Sequence, residues 1–350
     1  MELINYTPFP PLFFKSRDKH RVDHGVLVLR GTFAIDHEAY LRPIPDQEPV
    51  RTEDVFHGDP TQSSLVFEAD LAPFKPATDI HLNAIARAPG GKARRTWPVS
   101  ARVGTLRKDL YVTGPRRFFS SLGLWQLSIP KPVTEVPIRY ELAFGGGPGK
   151  SGKGKVYEHN PVGVGYQTVT QTLNPIKSFE APCIEAADKK ISLRGRNYRP
   201  EGFSPIARAW LPRRGFAGTY DQKWVDDVWP ELPADFDYRF YNSAHPDLIY
   251  SGYLVGGEAV ELRGLRPERE LLRFGIPEYK ALVLIRYGDG SFNLAPAYLD
   301  TLALDVADPD PNRIRAYLTW RATIDIRKPI RRLEARLDTS AVNGKGGSRG

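Results

Sequence analysis

The sequence predicts a mainly β protein: antiparallel sandwich- or barrel-like sheets joined by long Gly/Pro-rich loops, with one or two short helices. Three observations carry this expectation. Apolar and polar residues alternate with period two through most of residues 1–145. Glycine and proline number 31 each in 350 residues, a load that suits many strands joined by turns. Breakers such as Ala-Pro-Gly-Gly and Thr-Gly-Pro recur between the apolar runs, as antiparallel sandwiches and barrels require.

Taken in order, "VLVLRGTFAI" (26–35), "SSLVFEADLAP", "TDIHLNAIARAP", "WPVSARVGTL", "DLYVTG" and "EVPIRYELAF" each read as a strand. In "WPVSARV", Trp97, Val99, Ala101 and Val103 share one face, with Ser100 and Arg102 on the other. Residues 145–215 are rich in Gly, Pro, Asn and Arg and predict long irregular connections. A short helix is expected at "TYDQKWVDDVW". Thr219 and Gln222 have capping-box spacing, Asp221 suits the first turn, and Pro230 ends it. Tyr220 and Trp224, four apart, share a helical face, with Trp229 near the end.

The β pattern then returns. "SGYLVGGEAVELRGL" predicts two strands about Gly256-Gly257, and "KALVLIRYGDGSFNLAPAYLDTLALDV" a hairpin over Gly-Asp-Gly. "RIRAYLTWRATIDI" alternates through Ile314, Ala316, Leu318 and Trp320. The end, "DTSAVNGKGGSRG", is polar and glycine-rich and reads as a disordered tail. The expected division is a β-rich region 1–145, a loop-rich region 146–240 with the helix near 219–229, a β-rich region 241–336, and a tail 337–350. These make one composite domain, without a fixed-period repeat.

Composition narrows the function classes. At 41% hydrophobic and 26% charged residues, the chain is ordinary folded material. Its longest apolar run, "YKALVLIRY", is too short for a membrane helix and reads as a buried strand. The opening "MELINYTPFPPLFFKSRDKHR" has no basic stretch ahead of an apolar one, so no signal peptide and a cytoplasmic location are expected. The single cysteine, Cys183, excludes intrachain disulfides and multi-cysteine zinc sites. His20 and His24 have the spacing of a helical metal clamp, but "HGVLVLRGTF" follows as a strand and no third ligand is suggested. No metal is expected.

The net charge is +8, dispersed over "KARRTW", "GPRRFF", "KSGKGK", "LPRRG" and "RKPIRR". No helix-turn-helix, zinc finger or RNA-binding aromatic signature accompanies it, so neither nucleic acid nor membrane is expected as a partner; an acidic protein partner or a simple solubility role explains the charge equally well.

Motifs for chemistry fail one by one. "AFGGGPGKSGKGK" (143–155) looks like a phosphate loop, yet each register misses by one residue. Ending on Gly149-Lys150-Ser151 needs glycine at Phe144. Starting at Gly147 places Gly154 where the hydroxyl belongs, and starting at Gly149 places Val156 there. No helix pattern follows to face an anion. "GVGYQT" lacks the third glycine of a dinucleotide loop, no Gly-x-Ser-x-Gly falls on a strand-to-helix pattern as a nucleophile elbow requires, and the zincin motif is missing. Neither catalytic residues nor a cofactor are expected. Glu68, Asp70, Asp79, Asp235 and Asp237 would make a glycosidase pair only if folding joined them; turn caps and solvated strand faces are the simpler reading.

The densest aromatic cluster comprises Trp210, Phe216, Tyr220, Trp224, Trp229, Phe236, Tyr238, Phe240 and Tyr241. Exposed, it anchors a protein partner with Arg213 and Arg214 as polar companions; buried, it fastens an irregular segment to the sheets. Phe144 with Gly145, Gly146 and Gly147 is equally two-sided, serving a turn or a close backbone approach. The candidate protein-binding residues are therefore Phe144, Gly145, Gly146, Trp210, Arg213, Arg214, Tyr220 and Trp224.

Over much of its length the chain resembles a bacterial domain-of-unknown-function family encoded beside type VI secretion genes, whose members act as effector-loading adaptors or chaperones. The resemblance rests on "VLVLRGTF", "EADLAPFKPATDI", "VPIRYELAFGG" and "HNPVGVGY". It continues through "FSPIARAWLPRRGFAGTYDQKWVDDVWPELPADFDYRFYNSAHPD", "GGEAVELRGL", "YLDTLALDV" and "YLTWRA", in order from about residue 25 to 321. The lysine-rich "PGKSGKGKVYE" falls where that family has a variable loop. Leu142 and Val164 stand where arginine is common in it. The resemblance implies a non-catalytic cytoplasmic adaptor that binds a type VI effector, often through a PAAR-like domain, and helps mount it on the VgrG spike. A carbohydrate-active or carbohydrate-binding β-sandwich, with aromatics as stacking platforms, is the alternative.

Overall fold

The computed structural model describes residues 1–35, 39–147, 155–167 and 178–338. Its architecture is mainly β, as the alternation predicts. On strand Thr96–Val103 the side chains of Trp97, Val99, Ala101 and Val103 are all buried while Thr96, Pro98 and Arg102 are exposed, the two-faced pattern of a strand covered on one side.

The largest sheet has ten strands. Its main path runs Glu2–Asn5, Ile330–Asp338, Lys280–Tyr287, Phe292–Asp305, Arg315–Asp325, Asp23–Ile35, Pro11–Arg17. The two ends of that path are consecutive in the chain. Neighbours are antiparallel except Glu2–Asn5, which lies parallel to Ile330–Asp338. Thr78–Asn83 adds to Phe292–Asp305 in parallel. A register shift between Leu299 and Thr301 divides the long strand. Its first half pairs with Lys280–Tyr287 and its second with Arg315–Asp325, a bulge re-aiming the strand at a corner.

The middle strands Asp23–Ile35 and Arg315–Asp325 are covered on both faces, which explains their near-continuous apolar run. Phe9 stacks on Trp320 at 5.1 Å and Phe33 sits 5.5 Å from Phe9. At Gly31 a Cβ would lie 2.5 Å from the Phe33 ring, so only glycine admits that packing.

A five-stranded sheet, Ile184–Ala186, Leu106–Thr113, Thr96–Val103, Ala259–Arg263 and Leu271–Gly275, shares this core. A three-stranded sheet, Leu124–Leu127, Arg116–Ser121 and Ser178–Ala181, packs over a smaller cluster around Phe118, Phe144 and Tyr198.

Local departures from the sequence reading have physical causes. In "SSLVFEADLAP" only Leu65–Phe67 is a strand, because Glu68 and Asp70 turn inward to buried arginines. "EVPIRYELAF" keeps strand Glu135–Pro137 but becomes a 3₁₀ turn at Tyr140–Leu142. There the Asn160 amide donates to the Tyr140 carbonyl, in place of a ladder. Around Gly256-Gly257 one strand forms, Ala259–Arg263. Gly256, at φ +95°, passes so close to Glu278 that a Cβ would lie 2.5 Å from its Cα.

The helix spans Gln222–Asp227 with Asp221 as its N-cap, accepting from the Trp224 N–H at 2.9 Å. Thr219, the expected cap, is engaged by Asp235 instead. In "YKALVLIRY", Ala281, Val283 and Ile285 are buried, whereas Leu282 and Leu284 are only half-buried. That strand has one open face.

Candidate functional site

The predicted residues separate into an inner and an outer set. Phe144 is buried among Tyr157, Tyr198 and Tyr166 at 5.1, 5.3 and 6.3 Å between ring centres. Gly145 and Gly146 are covered by the segment 160–163: a Cβ on Gly145 would lie 2.2 Å from the Asn160 carbonyl oxygen, and one on Gly146 2.3 Å from that of Gly163. These glycines serve close backbone approach within the chain. Residues 148–154, with Lys150 and Lys153 of the phosphate-loop look-alike, lie outside the described residues.

Trp210 is buried edge-on against Tyr140 at 5.7 Å. Arg213 is buried too, donating to the carbonyls of Ile206 and Phe240 at 2.7 and 2.9 Å and to Glu68 Oε1 at 2.7 Å. Arg214 is exposed, 3.0 Å from Glu158. Tyr220 is about half exposed and meets Trp224 edge-on at 4.7 Å. The Trp224 indole N–H donates to the Glu231 carbonyl. Trp229, at the helix end, is 68% exposed. Most of the cluster therefore fastens the irregular segment to the sheets, and Tyr220, Val225 and Trp229 remain outside.

Sequence reasoning missed the buried ionic clusters. Glu68, Asp70 and Asp79 do fold close together, but each is matched to a cation. Lys75 Nζ lies 2.7 Å from Asp79 Oδ2 and 3.1 Å from the Thr301 hydroxyl, both side chains fully enclosed. Asp79 also accepts from the Asn242 amide and from the Ser243 and Ala244 backbone N–H groups. Burial alone would raise its carboxyl; Lys75, with His81 and these donors, holds it at about 2. Likewise burial works against the Glu68 charge, and Arg213 with Lys75 overcomes it, keeping that carboxyl below its ordinary range. Asp300 pairs with Arg321 at 2.6 Å and Asp70 with Arg30 at 3.5 Å. Asp235 and Asp237 cap local turns at the surface, far from a paired-carboxylate arrangement.

A second cluster joins Glu201, His245 and Asp247, whose ligand-type atoms all lie within 4.8 Å of one another. The ammonium of Lys108 stands among them. It pairs with Glu201, sits 3.1 Å from Asp247 Oδ2, and lies 3.2 and 3.3 Å from the two His245 nitrogens. A lysine thus occupies the position a bound cation would take. Burial, reinforced by Lys108, pushes the His245 imidazole down to about 3, so it is neutral at physiological pH. The signal for such pairs was present only as Asp79 and His81 interrupting the apolar run "TDIHLN". His20 and His24, the other histidine pair, lie in an exposed turn and at a strand start. Cys183 is a free, buried thiol, raised by burial to about 11.

The described residues also present open surfaces. Phe292, Leu294, Pro296 and Tyr298 all point outward from strand Phe292–Asp305. Across the ladder, Leu284 lies opposite Leu294 and Leu282 opposite Pro296. Tyr253 stacks on Tyr298 at 4.6 Å and Val255 is 69% exposed beside them. The result is a continuous apolar sheet face, bordered by Arg286, Arg332 and Arg336. Elsewhere, a surface cavity of about 670 Å³ opens between Arg117, Phe119, Ile129, Leu142, Val164 and Cys183. Leu142 and Val164 supply apolar parts of a wall that also carries Arg116, Arg117, Lys131 and Glu180.

Neither curated proteins nor solved structures returned a match. A family model described as an uncharacterized protein conserved in bacteria (DUF2169) matches residues 20–321. The five-stranded sheet, the glycine-mediated approach at 145–163 and the buried ionic clusters around Lys75, Lys108 and Arg213 lie within that span, and the chain belongs to this family.

Proposed function

We propose that this chain is a non-catalytic cytoplasmic adaptor of the type VI secretion system. It holds a cognate effector, through a PAAR-like domain where one is present, and promotes its loading onto the VgrG spike. One observation carries the binding role: the apolar face made by Leu282, Leu284, Phe292, Leu294, Pro296 and Tyr298 on an ordered sheet. Contiguous apolar faces of this kind, rimmed by charge, are characteristic of protein–protein contacts. The ionic clusters support the same reading, since their reactive groups are spent on one another inside the fold. The type VI assignment rests on the sequence resemblance.

The test is co-expression with the effector encoded beside the gene. The adaptor reading expects more soluble effector and a complex that survives gel filtration. Each buried Phe or Leu anchor contributes about 1.5–3 kcal/mol, so Phe292→Ser with Leu294→Lys should dissolve the complex while circular dichroism stays unchanged. An effector equally soluble and equally well loaded without this chain would defeat the reading.

A further inference from the structure

The hairpin Arg116–Ser121 to Leu124–Leu127 turns through two residues, since Ser121 pairs directly with Leu124. Both loop residues have positive φ, 51° at Leu122 and 78° at Gly123, the signature of a type I′ turn. That turn favours Asn-Gly, because a side chain branching beyond Cβ is strained in the left-handed region. Here the first position is leucine, and its side chain is 100% exposed. The residue is unfavourable twice over within this chain: strained in backbone and fully hydrated in side chain. Backbone strain of this kind concentrates at functional positions.

The surroundings indicate what the leucine meets. The inner face of the hairpin, Phe118, Trp125 and Leu127, packs on the cluster around Phe144. Leu124 is 68% exposed, Ile129 73% and Leu193 51%. The Arg194 guanidinium lies over the Trp125 ring at 4.2 Å, bringing the loop 188–196 alongside. Of the cations in these segments, Arg194 covers Trp125, Arg117 stands on the hairpin opposite Glu180, and Lys131 lines the same cavity as Ile129, while Lys190 turns away to the Tyr111 ring, 5.0 Å from its centre. The patch is apolar at its tip, with Arg117, Lys131 and Arg194 as its basic rim.

We infer that this hairpin is an insertion element. Leu122, supported by Leu124, enters an apolar cleft on a folded protein partner, and the basic rim meets carboxylates around that cleft. Charge complementarity steers the encounter and the leucine supplies the burial. This rests on the adaptor reading, with the effector as the partner, and adds a contact separate from the sheet face.

Leu122→Asn separates the two roles of the position, because Asn-Gly is the favoured type I′ sequence. It should leave the melting temperature unchanged or raise it, while weakening the complex with the purified neighbouring effector by about tenfold to a hundredfold. Leu124→Asp should weaken it similarly, and added salt should weaken the wild-type complex. Val22→Ser, at the exposed loop joining strands Pro11–Arg17 and Asp23–Ile35, serves as control and should bind as wild type. Wild-type affinity in both hairpin variants would overturn the inference alone. A lowered melting temperature in Leu122→Asn would also overturn it, by giving the leucine an internal role. Absence of any wild-type complex would overturn the adaptor reading and this inference with it.

Discussion

Acid should weaken this fold in a window set by His81. Its imidazole is buried on strand Thr78–Asn83, with Nε2 3.1 Å from the Ser243 hydroxyl. The charges facing it are Asp79 and Glu68 on one side and Lys75 and Arg213 on the other. Burial is the largest influence and lowers the imidazole from 6.5 to about 4. Because the folded state disfavours the proton, the unfolded chain binds it first as pH falls. Stability from this group is complete above about pH 6.5, declines between 6.5 and 4, and is lost below. That gap, at about 1.4 kcal/mol per pH unit, corresponds to about 3–4 kcal/mol.

His245, lowered to about 3 by burial and Lys108, adds to the same decline. Asp79 acts later: with its carboxyl lowered from 3.8 to about 2, its contribution is complete above 3.8 and lost as pH falls through 2. The assay is urea denaturation across about pH 7 to about pH 4.5, read as the unfolding free energy. His81→Gln offers the Ser243 hydroxyl an amide partner and has no proton to gain. Its pH slope should be clearly shallower than that of wild type, the rest coming from His245 and the partly buried His57, whose imidazole burial also lowers. Parallel slopes in wild type and His81→Gln would refute the assignment.

Lys75→Met leaves Asp79 enclosed with its backbone and Asn242 donors but without a countercharge, a loss of about 3–5 kcal/mol measurable by chemical denaturation. The paired change Lys75→Met with Asp79→Asn should recover part of it. Gly146→Ala forces a side chain to φ +97° and places its Cβ 2.3 Å from the Gly163 carbonyl oxygen. It should cost about 2 kcal/mol or more, and an unchanged melting temperature would refute the close-approach reading of that glycine.

Strand positions were legible because alternation is a local property. Trp97, Val99, Ala101 and Val103 announce their common face within eight residues, and the hairpin over Gly-Asp-Gly follows from its turn chemistry. The helix was legible as an element, but its cap was misread. Thr219 and Asp221 are both competent caps, and only the distant Asp235 decides between them by engaging Thr219. Which candidate residues face outward was not legible. Tyr220 and Arg214 are exposed, while Phe144, Trp210 and Arg213 are enclosed, a distinction made by segments far away in sequence. The ionic clusters were invisible for the same reason: Lys108 meets Glu201 across 93 residues and Arg213 meets Glu68 across 145. Leu122 was passed over because a lone leucine between serine and glycine carries no periodic signal; its meaning appears only with its φ and its exposure.

The placement of these long-range pairs bears on the holding role. Arg213 anchors the 3₁₀ segment Arg213–Phe216 to Glu68, and Asp79 anchors residues 242–244. Lys108 anchors both Glu201 and the turn at His245, and Arg116 anchors Pro182 and Glu185. Each joins a strand or its margin to an irregular segment. Buried ion pairs add little stability over an apolar replacement of equal volume, whereas half of such a pair is strongly unfavourable. Only the geometry that seats both partners is then acceptable, so the pairs select one arrangement of a loop-rich region that apolar contacts would tolerate in several. Arg116 lies at the base of the hairpin that displays Leu122, and its three bonds to Pro182 and Glu185 fix the direction in which that tip projects. A contact that depends on one exposed leucine requires such a fixed base, because each freedom left in the hairpin would have to be lost again on binding.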